Sequence, residues 1–297
     1  MGKRLRRGMT ANPYLITGPA LISFSGGRTS GYMLKQILDA HGGTLPDDVH
    51  VCFANTGKER EETLRFVHEC GSRWGVHIRW LERVRREKGS PWASGYDEVG
   101  YNSASRAGEP FAALIKEKRY LPNARTRICT TELKIRVMRC YAMAQGWKRW
   151  TMVIGLRADE PGRVERSSKP PRDRWDNLMP LATAGISNRD VRVFWLEQPF
   201  DLDLLPFEGN CDACFLKARP KLFEVERTRP GTLDWWIEQE RLVTAFARKP
   251  TDAQFLLQHS FAELQSAVRR QPDMFEGVFD NDPDNDAECG SWCGGTV

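Results

Sequence analysis

The chain has 297 residues, of which 40% are hydrophobic and 28% charged, with a net charge of +5. That length buries a full core, enough for one large domain with elaborations or for two, and the composition excludes a disordered chain. No run of about 18 apolar residues is present to span a bilayer, and the basic start (Lys3, Arg4, Arg6, Arg7) lacks the apolar segment of a signal peptide, so a cytoplasmic protein is expected.

In chain order, a strand over 21–25 leads into a helix over 29–40, whose apolar positions are Met33, Leu34, Ile37 and Leu38. A strand over 49–54 is followed by a helix over 59–74, and a third strand covers 77–81. Residues 84–108 are polar and carry four glycines, the pattern of a long loop or lid. A helix over 111–117, a helix over 131–144 and a strand over 151–156 follow. Residues 158–176 are charged and aperiodic, which predicts an active-site loop. Residues 191–196 alternate like a strand, and helices are expected over 220–226, 233–246 and 261–268. Ser260 with Glu263 forms a capping box for the last of these. Strands alternating with helices predict an α/β fold, a doubly wound, mostly parallel sheet with a small cysteine-bearing helical lobe. The expected division is a nucleotide-binding domain over 1–200 and a lobe with an acidic tail over 201–297.

The segment Ser25-Gly26-Gly27-Arg28-Thr29-Ser30 joins the first strand to the first helix. Two glycines allow a tight turn, and the turn offers backbone N–H groups and a helix N-terminus to an anion. Ser25 and Ser30 add hydroxyls. The spacing is not that of an ordinary P-loop. A basic zone, Lys116, Lys118, Arg119, Arg125, Arg127, Lys134, Arg136 and Arg139 against Glu117 and Glu132, favours a polyanionic substrate. Of the eight cysteines, Cys52, Cys70 and Cys140 fall on apolar stripes and are assigned to the core. Cys129, Cys211, Cys214, Cys289 and Cys293 lie in loop contexts. Cys211-x-x-Cys214 is the bite of a zinc ion, an iron–sulfur cluster or a redox pair.

Four ordered segments resemble a known family. The SGGRTS loop is similar to the SGGxxS loop of the PP-loop ATP pyrophosphatases. Asn55-Thr56-Gly57-Lys58-Glu59 with Glu62 resembles the DTGxExxET turn of that superfamily's phosphoadenosine phosphosulfate (PAPS) reductase branch. Cys129 to Lys134 resembles its CTxxLK segment, and Gly155 to Glu160 with Arg163 its GxRxxE/R strand end. The resemblance covers about residues 20–220 and implies a Rossmann-like sheet binding an adenine nucleotide.

It implies ATP with Mg²⁺ as cofactor, held by Ser25, Gly26, Gly27, Arg28, Thr29 and Ser30, with Asn55, Thr56, Arg157 and Arg163 around the nucleotide. Arg166 is a weaker candidate. Many members carry Lys and Asp where this chain has Arg28 and Thr29, so the acidic Mg²⁺ contact is missing. The intact glycine pair favours ATP over PAPS. A [4Fe–4S] cluster on Cys129, Cys211, Cys214 and Cys293 is the implied metal centre, with structural Zn²⁺ the alternative. Glu288-Cys289-Gly290 resembles the reductases' ECG tail but continues to Ser291-Trp292-Cys293 rather than to a histidine, so Cys289 and Cys293 remain ligand or nucleophile interchangeably. Lys134 joins them in the catalytic set. The implied activity is ATP-dependent sulfur transfer to DNA, RNA or a small substrate, with a sulfur donor such as a cysteine desulfurase and no membrane partner. A sulfonucleotide reductase and a non-catalytic nucleotide-binding module are the alternatives.

Overall fold

Six strands form the sheet around which the molecule is built, in the order β4-β3-β2-β1-β5-β6. The computed structural model describes residues 12–85, 94–169, 173–271 and 273–274. The strands are β1 (Ala20–Ser23), β2 (Val49–Asn55), β3 (Ile78–Arg85), β4 (Ser94–Val99), β5 (Trp150–Val153) and β6 (Trp175–Leu178). All neighbours pair in parallel except β3 and β4. A parallel sheet needs cover on both faces, and the alternation of side chains supplies it. Ile22, Val51 and Phe53 pack under α1 (Arg28–Ala40) and α2 (Glu61–Trp74). Leu21, Cys52, Ala54 and Leu81 meet α4 (Arg136–Ala144) on the other side. The expected α/β fold is therefore what forms. Burial pushes the Cys52 and Cys70 thiols up, which keeps both as protonated core groups. Cys140 is half-buried rather than a full core residue.

Three local expectations need correction. Residues 191–196 are not a strand; they lie in α7 (Asn188–Leu196). Its cap is made by Asp190, whose carboxylate accepts from the N–H and the hydroxyl of Ser187 at 2.8 and 2.7 Å. Val191 and Trp195, four apart, are buried, while Val193 and Leu196 are 49% and 86% exposed, so the apolar run follows the helical period. The polar stretch 84–108 is not all loop, because it carries β4, which adds antiparallel at the sheet edge. The stretch 158–176 contains α5 (Pro161–Ser167) and the start of β6, whose pairing with β5 outweighs its weak pattern.

The C-terminal lobe contains α8 (Arg219–Thr228), α9 (Asp234–Thr244) and α10 (Phe261–Arg270). Ser260 caps α10 as expected, accepting from the Glu263 N–H at 3.1 Å. The lobe core joins Phe215, Phe223, Trp236 and Phe255 to Phe111 and Leu114 of α3 (Glu109–Lys118) and to Leu133. Its core thus begins ahead of residue 201. Among the described residues no helix is long and apolar enough to cross a membrane.

Candidate functional site

The sheet order reverses direction between β1 and β5. In open α/β sheets ligands sit outside the strand carboxyl ends at such a switch point. The SGGRTS loop leaves β1 on one side of it, and Gly155 to Glu160 leave β5 on the other. Gly155 lies beside the loop: a Cβ there would make an ordinary contact with the Ser30 Cα, at 3.6 Å. Arg157 Nη1 donates to the Thr29 hydroxyl at 3.0 Å across the gap.

The loop is closed by its own hydroxyls. Ser30 Oγ accepts from the Ser25 N–H at 3.2 Å and the Gly27 N–H at 3.3 Å, and donates to the Gly27 carbonyl at 2.9 Å. The Ser25 hydroxyl donates to Ser30 Oγ at 2.9 Å. Gly26 has φ +80°, and a Cβ on it would lie 2.7 Å from Thr63 Cγ2. Only glycine fits there. Arg28 turns to Asp201, binding both carboxylate oxygens at 2.7 and 2.9 Å. Thr29 and Ser30 are buried at the helix start. Arg163 pairs with Glu160, and its Nη2 is buried without a hydrogen-bond partner among the described residues.

After β2 the chain turns through Asn55, Thr56 and Gly57. Asn55 is fully buried and committed inward, donating to Glu82 at 2.6 Å and to the Ser105 carbonyl at 2.9 Å. Thr56 gives its N–H and hydroxyl to Glu59 Oε2, both at 2.8 Å. Gly57 has φ +79°, with Pro110 Cδ only 2.9 Å from where a Cβ would stand. The next residues stay extended instead of starting α2, because they receive the cysteine turn. Glu59 bridges antiparallel to Cys211, Asp212 N donates to the Lys58 carbonyl at 2.9 Å, and Arg60 N to the Asn210 carbonyl at 2.8 Å. Side chains lock the same seam. Lys58 pairs with Asp212 at 2.6 Å, Arg60 Nη2 donates to the Asp212 carbonyl at 2.9 Å, and Trp236 Nε1 donates to Asp212 at 2.8 Å. Arg60 also pairs with the fully buried carboxylate of Glu208 at 3.2 Å.

Cys129–Ile135 is a π-helix, not the plain helix expected from residue 131. Such segments are rare and favour functional sites. Its i→i+5 bonding brings residues five apart toward one face, and Cys129 and Lys134 are five apart. Both line one cavity of about 20 Å³ with Thr56, Thr130, Cys211, Cys214 and Trp236, room for one water-sized sphere. Lys134 approaches Glu59 at 3.6 Å, both nearly fully buried. Behind the turn Lys217 is buried; desolvation brings its ammonium down to about 8, opposed by the charge of Cys214.

The structure thus brings Thr56, Lys134, Cys129, Cys211 and Cys214 together. Ser25, Gly26, Gly27, Thr29, Ser30 and Arg157 gather at the switch point. Arg28 and Asn55 are spent on Asp201 and Glu82 instead. Arg166 is exposed on α5, away from any partner described here, and Cys289, Cys293 and the arm Lys3–Arg7 lie outside the described residues. Glu59, matched in the turn motif but given no role there, joins the site through Thr56 and Lys134; Asp212 and Asn210 join it without having been expected, since their partners Lys58, Arg60 and Ser25 are remote in sequence. Among the described residues no three Cys, His, Asp or Glu side chains converge closely enough to grip a single metal ion. The basic zone is largely paired, Lys118 and Arg136 with Glu132 at 3.4 and 3.1 Å and Arg139 with Asp173 at 3.3 Å.

No family model matches the chain. Among solved structures it is similar to the U34-tRNA thiolase NcsA from Methanococcus maripaludis, solved with its [4Fe-4S] cluster, at 12% identity over 84% of this chain and 80% of that one. The TM-score of 0.36 is too low to carry an argument about activity. Among curated proteins it is 32% identical over 207 residues, 68% of this chain and 67% of the relative, to an uncharacterized nin region protein, ORF290, of Escherichia phage lambda. At that identity and coverage, the chain belongs to the family of the lambda nin region protein ORF290.

Proposed function

We propose that the chain is a PP-loop enzyme of the PAPS reductase-like branch that binds ATP at the switch point and uses it for sulfur transfer, with a nucleic acid as the favoured substrate class. The observation that carries this reading is the single cavity lined by Cys129, Cys211 and Cys214 together with Thr56 and Lys134. A substrate oxygen attacks the α-phosphorus of ATP and pyrophosphate leaves. Sulfur carried as a persulfide from a donor such as a cysteine desulfurase then attacks in the oxygen's place, AMP leaves with that oxygen, and a second thiol cleaves the S–S bond, releasing the thiolated product and leaving the two thiols as a disulfide. Backbone donors of the glycine loop suit the departing pyrophosphate, and Arg157 and Arg163 suit the remaining phosphate charge.

The thiol set supports an iron–sulfur cluster over zinc. Cys129 lies in the segment that the resemblance sets beside the nucleotide pocket, which puts a metal centre near the chemistry rather than in a structural knuckle. A [4Fe–4S] cluster takes one thiolate per iron and tolerates spaced donors. Cys129, Cys211 and Cys214 would hold it, and it would supply an iron able to bind and deliver sulfur. The cavity would have to widen as Phe215 and Leu216 draw back. The reductase alternative rests on Cys289. Anaerobic purification with iron and sulfide analysis, followed by ATP–pyrophosphate exchange with and without RNA or DNA, tests the proposal. About four irons per chain and substrate-dependent exchange are expected; sulfite release from PAPS without exchange would replace it with the reductase.

A further inference from the structure

Asn210 is the residue just before Cys211, and it is 1% exposed. Its Nδ2 donates to the Ser25 carbonyl at 2.9 Å, across 185 positions of sequence. Its own carbonyl accepts from Arg60 N at 2.8 Å, and the Thr63 hydroxyl lies 3.5 Å away. Its Oδ1 is buried with no hydrogen-bond partner among the described residues. The Ser25 carbonyl and the Gly26 N–H belong to one rigid peptide plane and point in opposite directions. Any rotation that aims the Gly26 N–H at a phosphate swings the oxygen that Asn210 holds. Cys211 is the next residue in the chain.

We infer that Asn210 is a positioning residue that couples the glycine loop to the cysteine turn, so that nucleotide bound on the loop resets the accessibility of Cys211 and Cys214. This rests on the nucleotide-binding reading above. The coupling has the size of one buried hydrogen bond, about fivefold in an equilibrium.

The test is iodoacetamide labelling of the full chain freed of iron by chelation, resolved by mass spectrometry at each cysteine, with and without ATP at a concentration that calorimetry finds saturating. ATP should change labelling of Cys211 and Cys214 by about fivefold and leave Cys140, on α4, unchanged. In Asn210→Leu, which keeps the branched shape and loses the amide, ATP should still bind and its effect on labelling should vanish. If Asn210→Leu does not fold, the wild-type contrast decides: a change confined to Cys211 and Cys214 supports the coupling, and an equal change at Cys140 overturns it. ATP binding without any change, or a change that persists in Asn210→Leu, overturns the coupling alone. No calorimetric binding of ATP overturns the nucleotide reading and the coupling with it.

Discussion

The glycine loop after β1 and the cysteine turn before α8 are joined through Asn210, yet they are held in opposite ways. The loop is tied by contacts within itself: the Ser25 and Ser30 hydroxyls are five residues apart. The turn is tied by contacts from afar: Arg60 and Asp212 are separated by 152 positions. A motif closed chiefly by its own hydroxyls keeps most of its frame when one remote contact, such as Asn210 on the Ser25 carbonyl, is lost. A turn held by remote partners depends on the whole fold and can be moved by what happens elsewhere.

The sharpest way to break the comparison is Arg60→Met. It leaves the buried Glu208 with Arg229, at 2.8 Å, as its cationic partner among the described residues, and removes a bond to the Asp212 carbonyl. A loss of about 3–5 kcal/mol in urea unfolding is expected, with faster alkylation of Cys211 and Cys214. An unchanged alkylation rate would show that the turn is held some other way.

Glu240 probes the lobe that carries the turn. Burial raises its carboxyl from 4.5 to about 7, against the N–H groups of Phe261 and Phe255, which favour the anion. The native state holds this proton more tightly than the unfolded chain does. Stability from this group is therefore full below the unfolded value and falls as pH rises to about 7, by about 3 kcal/mol. Glu240→Gln should flatten that decline in denaturation curves taken across the window; an unaltered slope would assign it to another group.

On the loop side the effects are smaller and local. Gly26→Ala forces a side chain into φ +80° and against Thr63, at about 2 kcal/mol, read as a lowered melting temperature. Ser30→Ala removes the hydroxyl shared by Ser25 and Gly27 and costs about 1–2 kcal/mol. That loss should fall on ATP affinity and leave cysteine labelling without nucleotide unchanged. Faster labelling in the absence of ATP would mean that the loop supports the turn even when empty.

The same contrast explains what the sequence made legible. Ser25 to Ser30 could be read as an anion-binding bend because strand, glycines and helix are contiguous. Cys129 and Lys134 were legible as a motif, but the π-helix that turns them together was not, since no residue pattern separates it from an ordinary helix. The strand expected over 191–196 failed because short alternation and helical spacing coincide when the run contains Val191, Val193 and Trp195. The pairing of Arg28 with Asp201 has no local signal, because 173 positions separate the two. Asn210 carries no local signal at all; its meaning lies in the Ser25 carbonyl it reaches.

The most direct test of the central claim is calorimetric titration of ATP into the wild type and into Ser25→Ala/Gly27→Val. Gly27 has φ −105°, which any residue adopts, so the double variant should keep the native circular dichroism spectrum. The account predicts measurable ATP binding by the wild type and none by the variant. Equal affinity in the two proteins would contradict it.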